Sequence, residues 1–197
     1  MTSQNFTQQH FSSLFETLQS VLATDRNARS LTLHEGMEAT ALCLKNVGAT
    51  GKKIIFVGNG GSAGIASHQA IDYWKNGGIR ATAFNDASLL TCISNDYGYE
   101  HVFAKPIEMF AEPGDAVIAI SSSGQSANIL AACTASRLRG CSLITLSGFK
   151  EDNPLRRLGD INLYVPSHSY GFVEVLHLAL SHCVLDGLMA KELGTST

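Results

Sequence analysis

Ser121-Ser122-Ser123-Gly124-Gln125-Ser126 follows the apolar run Ala116-Val117-Ile118-Ala119-Ile120 and precedes a helical pattern from Ala127 to Arg139. A short apolar run bounded by turn residues reads as a buried strand. A strand that opens through serines and a glycine into a helix makes a seat for an anion. The first helical turn leaves backbone N–H groups unpaired and carries the positive end of the dipole. The hydroxyls add further donors, so no lysine or arginine is required. A second junction of this kind lies upstream, where Lys53-Ile54-Ile55-Phe56-Val57 runs into Gly58-Asn59-Gly60-Gly61-Ser62 and another helical stretch. Two such junctions can converge on one small phosphorylated ligand.

Outward from these junctions, strands and helices alternate. The pattern predicts strands over 54–57, 80–84, 116–120, 142–146 and 161–165. It predicts helices over 62–75, 86–94, 99–110, 126–139 and 170–193, with a helical turn over 153–158. Five apolar strands separated by helices predict an α/β fold, a three-layer, doubly wound, five-stranded parallel sheet. Ligands of such sheets bind at the carboxyl ends of strands, where the strand order reverses. Before the first strand, residues 3–24 and 29–49 place apolar side chains at helical intervals (Phe6, Phe11, Leu14, Phe15 and Leu18, then Leu33, Met37, Leu44 and Val47). Thr24-Asp25-Arg26-Asn27 reads as the turn between them. Two amphipathic helices with no partner in the alternating pattern predict packing against another subunit. The chain thus divides into a helical extension over 1–50, used in an oligomer, and a ligand-binding domain over 51–197.

Composition bounds the function. Of the 197 residues 45% are apolar and 16% charged, and the formal charge is −3, which disfavours broad nucleic-acid binding. No apolar run suggests a bilayer span, and the N-terminus has no secretion-signal pattern. Five scattered cysteines (Cys43, Cys92, Cys133, Cys141 and Cys183) fit reduced core thiols of a cytoplasmic protein. Without a CxxC pair, a thiolate zinc site is not expected. The glycine-rich turn lacks both the GKS/GKT ending and the GxGxxG spacing of nucleotide sites, so no nucleotide cofactor is expected.

GNGGS at 58–62, SSSGQSANI at 121–129 and ISNDYGYEHVF at 93–103 together resemble the sugar isomerase (SIS) domain family, in its phosphoheptose isomerase branch. The resemblance covers nearly the whole chain and implies a flavodoxin-like sheet and a homotetramer with active sites between subunits. It implies conversion of sedoheptulose 7-phosphate to D-glycero-D-manno-heptose 7-phosphate. By resemblance, Ser62, Ser121, Ser122, Ser123 and Ser126 hold the phosphate, Asn59 and Asp96 border the sugar, and Gly60, Gly61 and Glu174 are further substrate-binding residues. The catalytic carboxylate maps to Asp72 and the catalytic histidine to His182. A zinc site maps to His68, Asp72, Glu174 and His182. Two alternatives stand beside the enzyme: a non-catalytic scaffold that binds a phosphosugar or the replication initiator protein, and an isomerase for another phosphosugar.

The residue types suit the chemistry, because moving a proton between adjacent carbons needs a base and an acid. His68 and Asp72, four apart, share a helix face. Glu174 and His182 are eight apart, about 12 Å along a helix, so one ion reaches both only through extended side chains or two subunits. Glu174 and His177 form a closer Glu-x-x-His pair, for which a merely packed His177 is the simpler reading. The chain departs from the branch pattern at Asp72 (Glu in the family), Glu174 (Gln), Asn76 (Arg) and Gly171 (Asp), and in a shorter 76–79 segment. Trp74 reads as packing, Tyr97 and His101 as a subunit contact, and Arg156 and Arg157 as solvated or interface charges. His168 stands near the expected site, and Cys92 and Cys183 carry no nucleophilic role.

Overall fold

The computed structural model describes residues 3–194. Its strands are β1 (Leu22–Asp25), β2 (Ser30–Leu31), β3 (Ile54–Gly58), β4 (Ala81–Ala83), β5 (Ala116–Ser121), β6 (Ser142–Ser147) and β7 (Ile161–Tyr164). Its α-helices are α1 (Ser3–Gln19), α2 (Leu33–Ala49), α3 (Gly61–Lys75), α4 (Ala87–Tyr97), α5 (Ala104–Phe110), α6 (Ala127–Leu138) and α7 (Tyr170–Ala190). The strands form one sheet in the order β2-β1-β7-β6-β5-β3-β4. The five expected strands are parallel, and within them the order is that of flavodoxin-like folds.

Alternation along the strands splits the core into two layers. Ile54 and Phe56 of β3 join Ile118 and Ile120 of β5 under α2, α3 and α7. Ile55 and Val57 join Val117 and Ala119 under α5 and α6. Both faces are covered, which is why these strands read as continuous apolar runs. The order reverses between β3 and β5, and Gly58 pairs with Ile120 there. The two polar junctions therefore leave neighbouring strands side by side. At the opposite end of the same strands, buried Asp115 accepts hydrogen bonds from the Lys53 and Glu112 amides and pairs with the Lys53 ammonium at 2.7 Å. Burial pushes the Asp115 carboxyl up, but the Lys53 and Glu112 hydrogen bonds outweigh it and hold it below the usual range.

The sheet has seven strands, not five. Residues 22–31, expected to lie in the helices and their turn, form a β-hairpin, and β1 pairs antiparallel with β7. Asp25 Oδ1 accepts from the Asn27 and Arg29 amides, and Ala28 takes φ 59° to close the turn. The second helix starts at Leu33, not at 29, because Thr32 caps it. The Thr32 hydroxyl accepts from the Glu35 amide at 3.1 Å, and the Glu35 carboxylate accepts from the Thr32 amide at 2.7 Å. Helix α2 also finds its partner within its own chain, burying Met37, Ala41, Leu44 and Val47 against the core shared with β1 and α7. Between α4 and α5 the expected helix over 99–110 is broken by a 3-10 turn over Tyr99–His101.

Helix α7 corrects a second expectation, since by length and composition it could cross a bilayer. Here it is a core helix that buries Val173, Leu176, Leu180, Val184 and Leu185. The cysteines are all free, but only Cys133 and Cys141 are buried, while Cys92 and Cys183 are exposed. Burial pushes the Cys133 thiol up to about 12 and the Cys141 thiol up to about 11. Trp74, expected in packing, is exposed.

Candidate active site

The serine loop is built so that its hydroxyls are left over for a ligand. Gly124 takes φ +63°, and a side chain there would run into Asn153. Asn153 is a buried hub that donates to the carbonyls of Gly148 and Lys150 and accepts from the Arg156 amide. The Leu155 amide donates to the Gly124 carbonyl, so the loop is pinned from below. Ser121 Oγ accepts from the Gly124 amide at 3.2 Å and lies 3.3 Å from Ser126 Oγ. Ser126 is the N-cap of α6, yet its side chain makes no capping bond. Ser122 Oγ is buried without a hydrogen-bond partner. A buried unpaired hydroxyl is costly unless something completes it.

The second junction faces this loop. Gly60 takes φ +55° and leads into α3, whose N-terminus carries no side-chain cap. Asn59 is locked in place: its Oδ1 accepts from Asn128 Nδ2 at 2.8 Å and from the Tyr99 hydroxyl at 3.0 Å, and its Nδ2 donates to Asn128 Oδ1 at 2.9 Å. Between the junctions lies a cleft of about 140 Å³ lined by Asn59, Ser62, Ile120, Ser121, Ser122, Ser123, Ser126, Tyr170 and Glu174. Among the described residues, no lysine, arginine or histidine lines it. A larger cavity of about 840 Å³ lies toward the β1–β2 turn, lined in part by Arg26, Arg156, Arg157 and His168. There Arg156 pairs with Glu151 at 3.2 Å, and Arg26 with Asp160 at 3.8 Å. The smaller cleft alone combines two helix N-termini with unspent hydroxyls.

Most of the expected phosphate-end residues are therefore brought together, along with Glu174. Asp96 is not among them: it sits exposed on α4, accepting from Asn95 and Cys92. His168 stacks on Phe149 instead of entering the cleft. The sequence reading missed Tyr170, which lines the cleft, and Asn128, Tyr99 and Asn153, which brace the residues around it. Asn128 stood in plain view in SSSGQSAN, two residues beyond the last serine.

A second cluster forms along α3 and α7. His68 Nε2 is 3.1 Å and His182 Nδ1 3.9 Å from Asp72 Oδ2, and the two imidazole rings meet edge to face at 5.1 Å. One ligand atom from each of the three lies within 4.8 Å of the others. Two imidazoles and a carboxylate with open sides match the donor set of a catalytic zinc site. Glu174 is not in this group; a side-chain carbon at Gly61 would fall on its carboxylate. His177 is wholly buried and hydrogen-bonds the Ser147 carbonyl at 3.1 Å, so it belongs to the core.

A flavodoxin-like sheet with a cleft of serine hydroxyls at its switch point fits the sugar isomerase class, and the sequence profile of the SIS domain matches residues 19–148. The chain belongs to the SIS domain family, and within it to the phosphoheptose isomerases. It is 33% identical over 187 residues to the phosphoheptose isomerase of Syntrophotalea carbinolica, covering 92% of each chain. It is 35% identical over 184 residues to that of Photorhabdus laumondii subsp. laumondii, covering 90% of this chain and 91% of the relative. The solved phosphoheptose isomerase of Neisseria gonorrhoeae superposes with a TM-score of 0.82 at 30% identity, covering 95% of this chain and 99% of that one.

Proposed function

We propose that this protein is an aldose–ketose isomerase that converts sedoheptulose 7-phosphate to D-glycero-D-manno-heptose 7-phosphate. The observation that carries the reading is the cleft at the switch point, where serine hydroxyls and two helix N-termini stand ready with no cation. Relatives named phosphoheptose isomerase support the substrate. Asp72 takes a proton from C1 of the ketose and returns it to C2, through a cis-enediol. His182 protonates the carbonyl oxygen at C2 and takes the proton from the C1 hydroxyl, so both hydrogens are accounted for. His68, Asp72 and His182 would hold a divalent metal such as zinc, whose chemistry is to polarise the sugar carbonyl.

As the resemblance implies for this branch, the cleft of one subunit works with the Asp72 and His182 of a neighbour, and Asp96 likewise reaches the sugar from a neighbour. This requires an oligomer, read as a cytoplasmic homotetramer in which α1 supplies contact surface. The test is incubation with sedoheptulose 7-phosphate with and without zinc, following the aldose product. Asp72→Asn and His182→Ala should each lower turnover by about 10²-fold or more, while inorganic phosphate still binds. Normal turnover in either variant would remove that residue from the mechanism. Binding without turnover in the parent would instead make the protein a phosphosugar-binding scaffold.

A further inference from the structure

The larger cavity, of about 840 Å³, shares no lining residue with the serine cleft and combines cations with aromatic rings. Several of its charges are already committed. Asp25 accepts from the Asn27 and Arg29 amides. Arg156 donates to the Glu151 carbonyl at 3.0 Å, pairs with the Glu151 carboxylate and lies 4.4 Å over the Tyr164 ring. Asp160 already accepts from Arg137 at 2.7 Å through both oxygens, so Arg26 is only loosely held at 3.8 Å. Among the described residues, Lys150, Arg157 and Asp152 have no ion-pair partner. Arg26, Lys150 and Arg157 therefore remain for a ligand, against the single carboxylate of Asp152. Three cations drawn from two segments suit a chain of two phosphates better than one phosphate. His168, exposed, stacks on Phe149 with ring centroids 6.0 Å apart and planes 26° from parallel. Such a ring pair can carry a further flat ring, as aromatic side chains carry nucleobases.

The segment that lines this cavity also holds the serine loop. The Gly148 amide donates to the Ser122 carbonyl at 3.0 Å, and the Leu155 amide donates to the Gly124 carbonyl at 3.1 Å. Asn153 ties the Gly148 and Lys150 carbonyls together between them. Phe149 takes φ 58°, and its ring meets that of Tyr170 edge to face at 4.7 Å, while Tyr170 lines the serine cleft. Cavity and cleft are two sides of one wall. We propose that the larger cavity is a regulatory site for a nucleoside diphosphate, whose base extends the Phe149–His168 stack and whose phosphates meet Arg26, Lys150 and Arg157. A ligand there fixes segment 148–157 in advance, so that anion binding at the serine loop has less ordering left to do and becomes tighter. The site stands on its own residues, and only its coupling rests on the phosphate reading of the serine cleft.

Calorimetry with ADP, adenosine and pyrophosphate tests the site without any turnover. The parent should bind ADP about 10-fold or more tighter than either fragment, since both the stack and the charged contacts contribute. Lys150→Ala with Arg157→Ala, both exposed, should weaken ADP by about 10-fold or more. His168→Ala should weaken ADP by about 5-fold or more and leave pyrophosphate unchanged. Ser123→Ala with Ser126→Ala, in the serine loop, should leave ADP binding as in the parent. No ADP binding by the parent, or ADP binding that the cation variant leaves intact, overturns the site. ADP binding that the serine variant abolishes puts the nucleotide in the cleft and overturns it equally. For the coupling, saturating ADP should tighten inorganic phosphate binding by about 5-fold or more, a shift that the serine variant removes. Unchanged or weaker phosphate binding under saturating ADP overturns the regulatory role. If the parent binds ADP but no inorganic phosphate under either condition, the cleft reading fails and the coupling falls with it, while the nucleotide site stands.

Discussion

His177 lies wholly inside the protein, with Nε2 donating to the Ser147 carbonyl at 3.1 Å and Nδ1 left without a hydrogen-bond partner. Burial pushes its pKa from 6.5 down to about 4, against the smaller opposing pull of the Ser147 hydrogen bond. The folded state therefore keeps His177 neutral where the unfolded chain protonates it. A depressed folded pKa contributes stability that is present above pH 6.5 and is lost as the pH falls toward about 4. At about 1.4 kcal/mol per pH unit, that window is worth roughly 3 kcal/mol. His177→Gln should flatten the fall of the urea midpoint between pH 7 and pH 4.5 relative to the parent, whatever its effect at pH 7. An unchanged slope would show that other groups cause the acid sensitivity. At this scale the sequence showed part of the site. Ser121–Ser126 pointed by residue type alone to the loop that lines the cleft. Asn153 and Asn128 did not, because an asparagine gives no sign of the partner it will bond, the Gly148 carbonyl 5 residues away or the Asn59 side chain 69 residues away.

The β1–β2 hairpin shows why local pattern misled. Val21 and Leu22 continue the apolar spacing of α1, and only pairing with β7, far along the chain, makes the segment a strand. Such non-local pairing leaves no trace in helical periodicity. The central strands were legible because each runs apolar on both faces and ends in small polar residues. Helix α2 crosses the hairpin at Gly36, where a β-carbon would stand 2.5 Å from the Ala23 β-carbon and 3.3 Å from Leu163 Cδ2. Alanine in a helix gains about 1 kcal/mol over glycine, but overpacking of this kind costs about 1–3 kcal/mol. The contact is between short, stiff groups, so the clash prevails. Gly36→Ala should lower stability by about 1–2 kcal/mol in urea unfolding. Gly171→Ala, on the open first turn of α7, should leave stability equal or raise it by up to about 1 kcal/mol. Stabilisation by Gly36→Ala would mean that α2 is free to shift away from β1.

The whole molecule leaves an apolar face uncovered. Phe11 and Phe15 of α1, one turn apart on one face, are each about 60% exposed, while Leu14 and Leu18 of the same helix turn inward against the core. Burying such a side chain is worth about 1.5–3 kcal/mol, so two on one face are a drive toward a partner surface. An active site shared between subunits, as proposed, makes the same demand from the side of chemistry. On that reading a monomer would hold phosphate yet lack the base that acts on the carbon chain. Assembly and turnover should then be lost together, while phosphate binding survives. Phe11→Glu with Phe15→Glu places two charges in the proposed contact without touching the cleft. Sedimentation should show the variant dissociating at concentrations where the parent is assembled. Its turnover of sedoheptulose 7-phosphate should fall by about 10²-fold or more, as when a catalytic acid or base is removed, with inorganic phosphate affinity within a few-fold of the parent. A dissociated variant that kept full turnover would place the acid and base within reach of the cleft of their own chain, and the inter-subunit site would have to be abandoned.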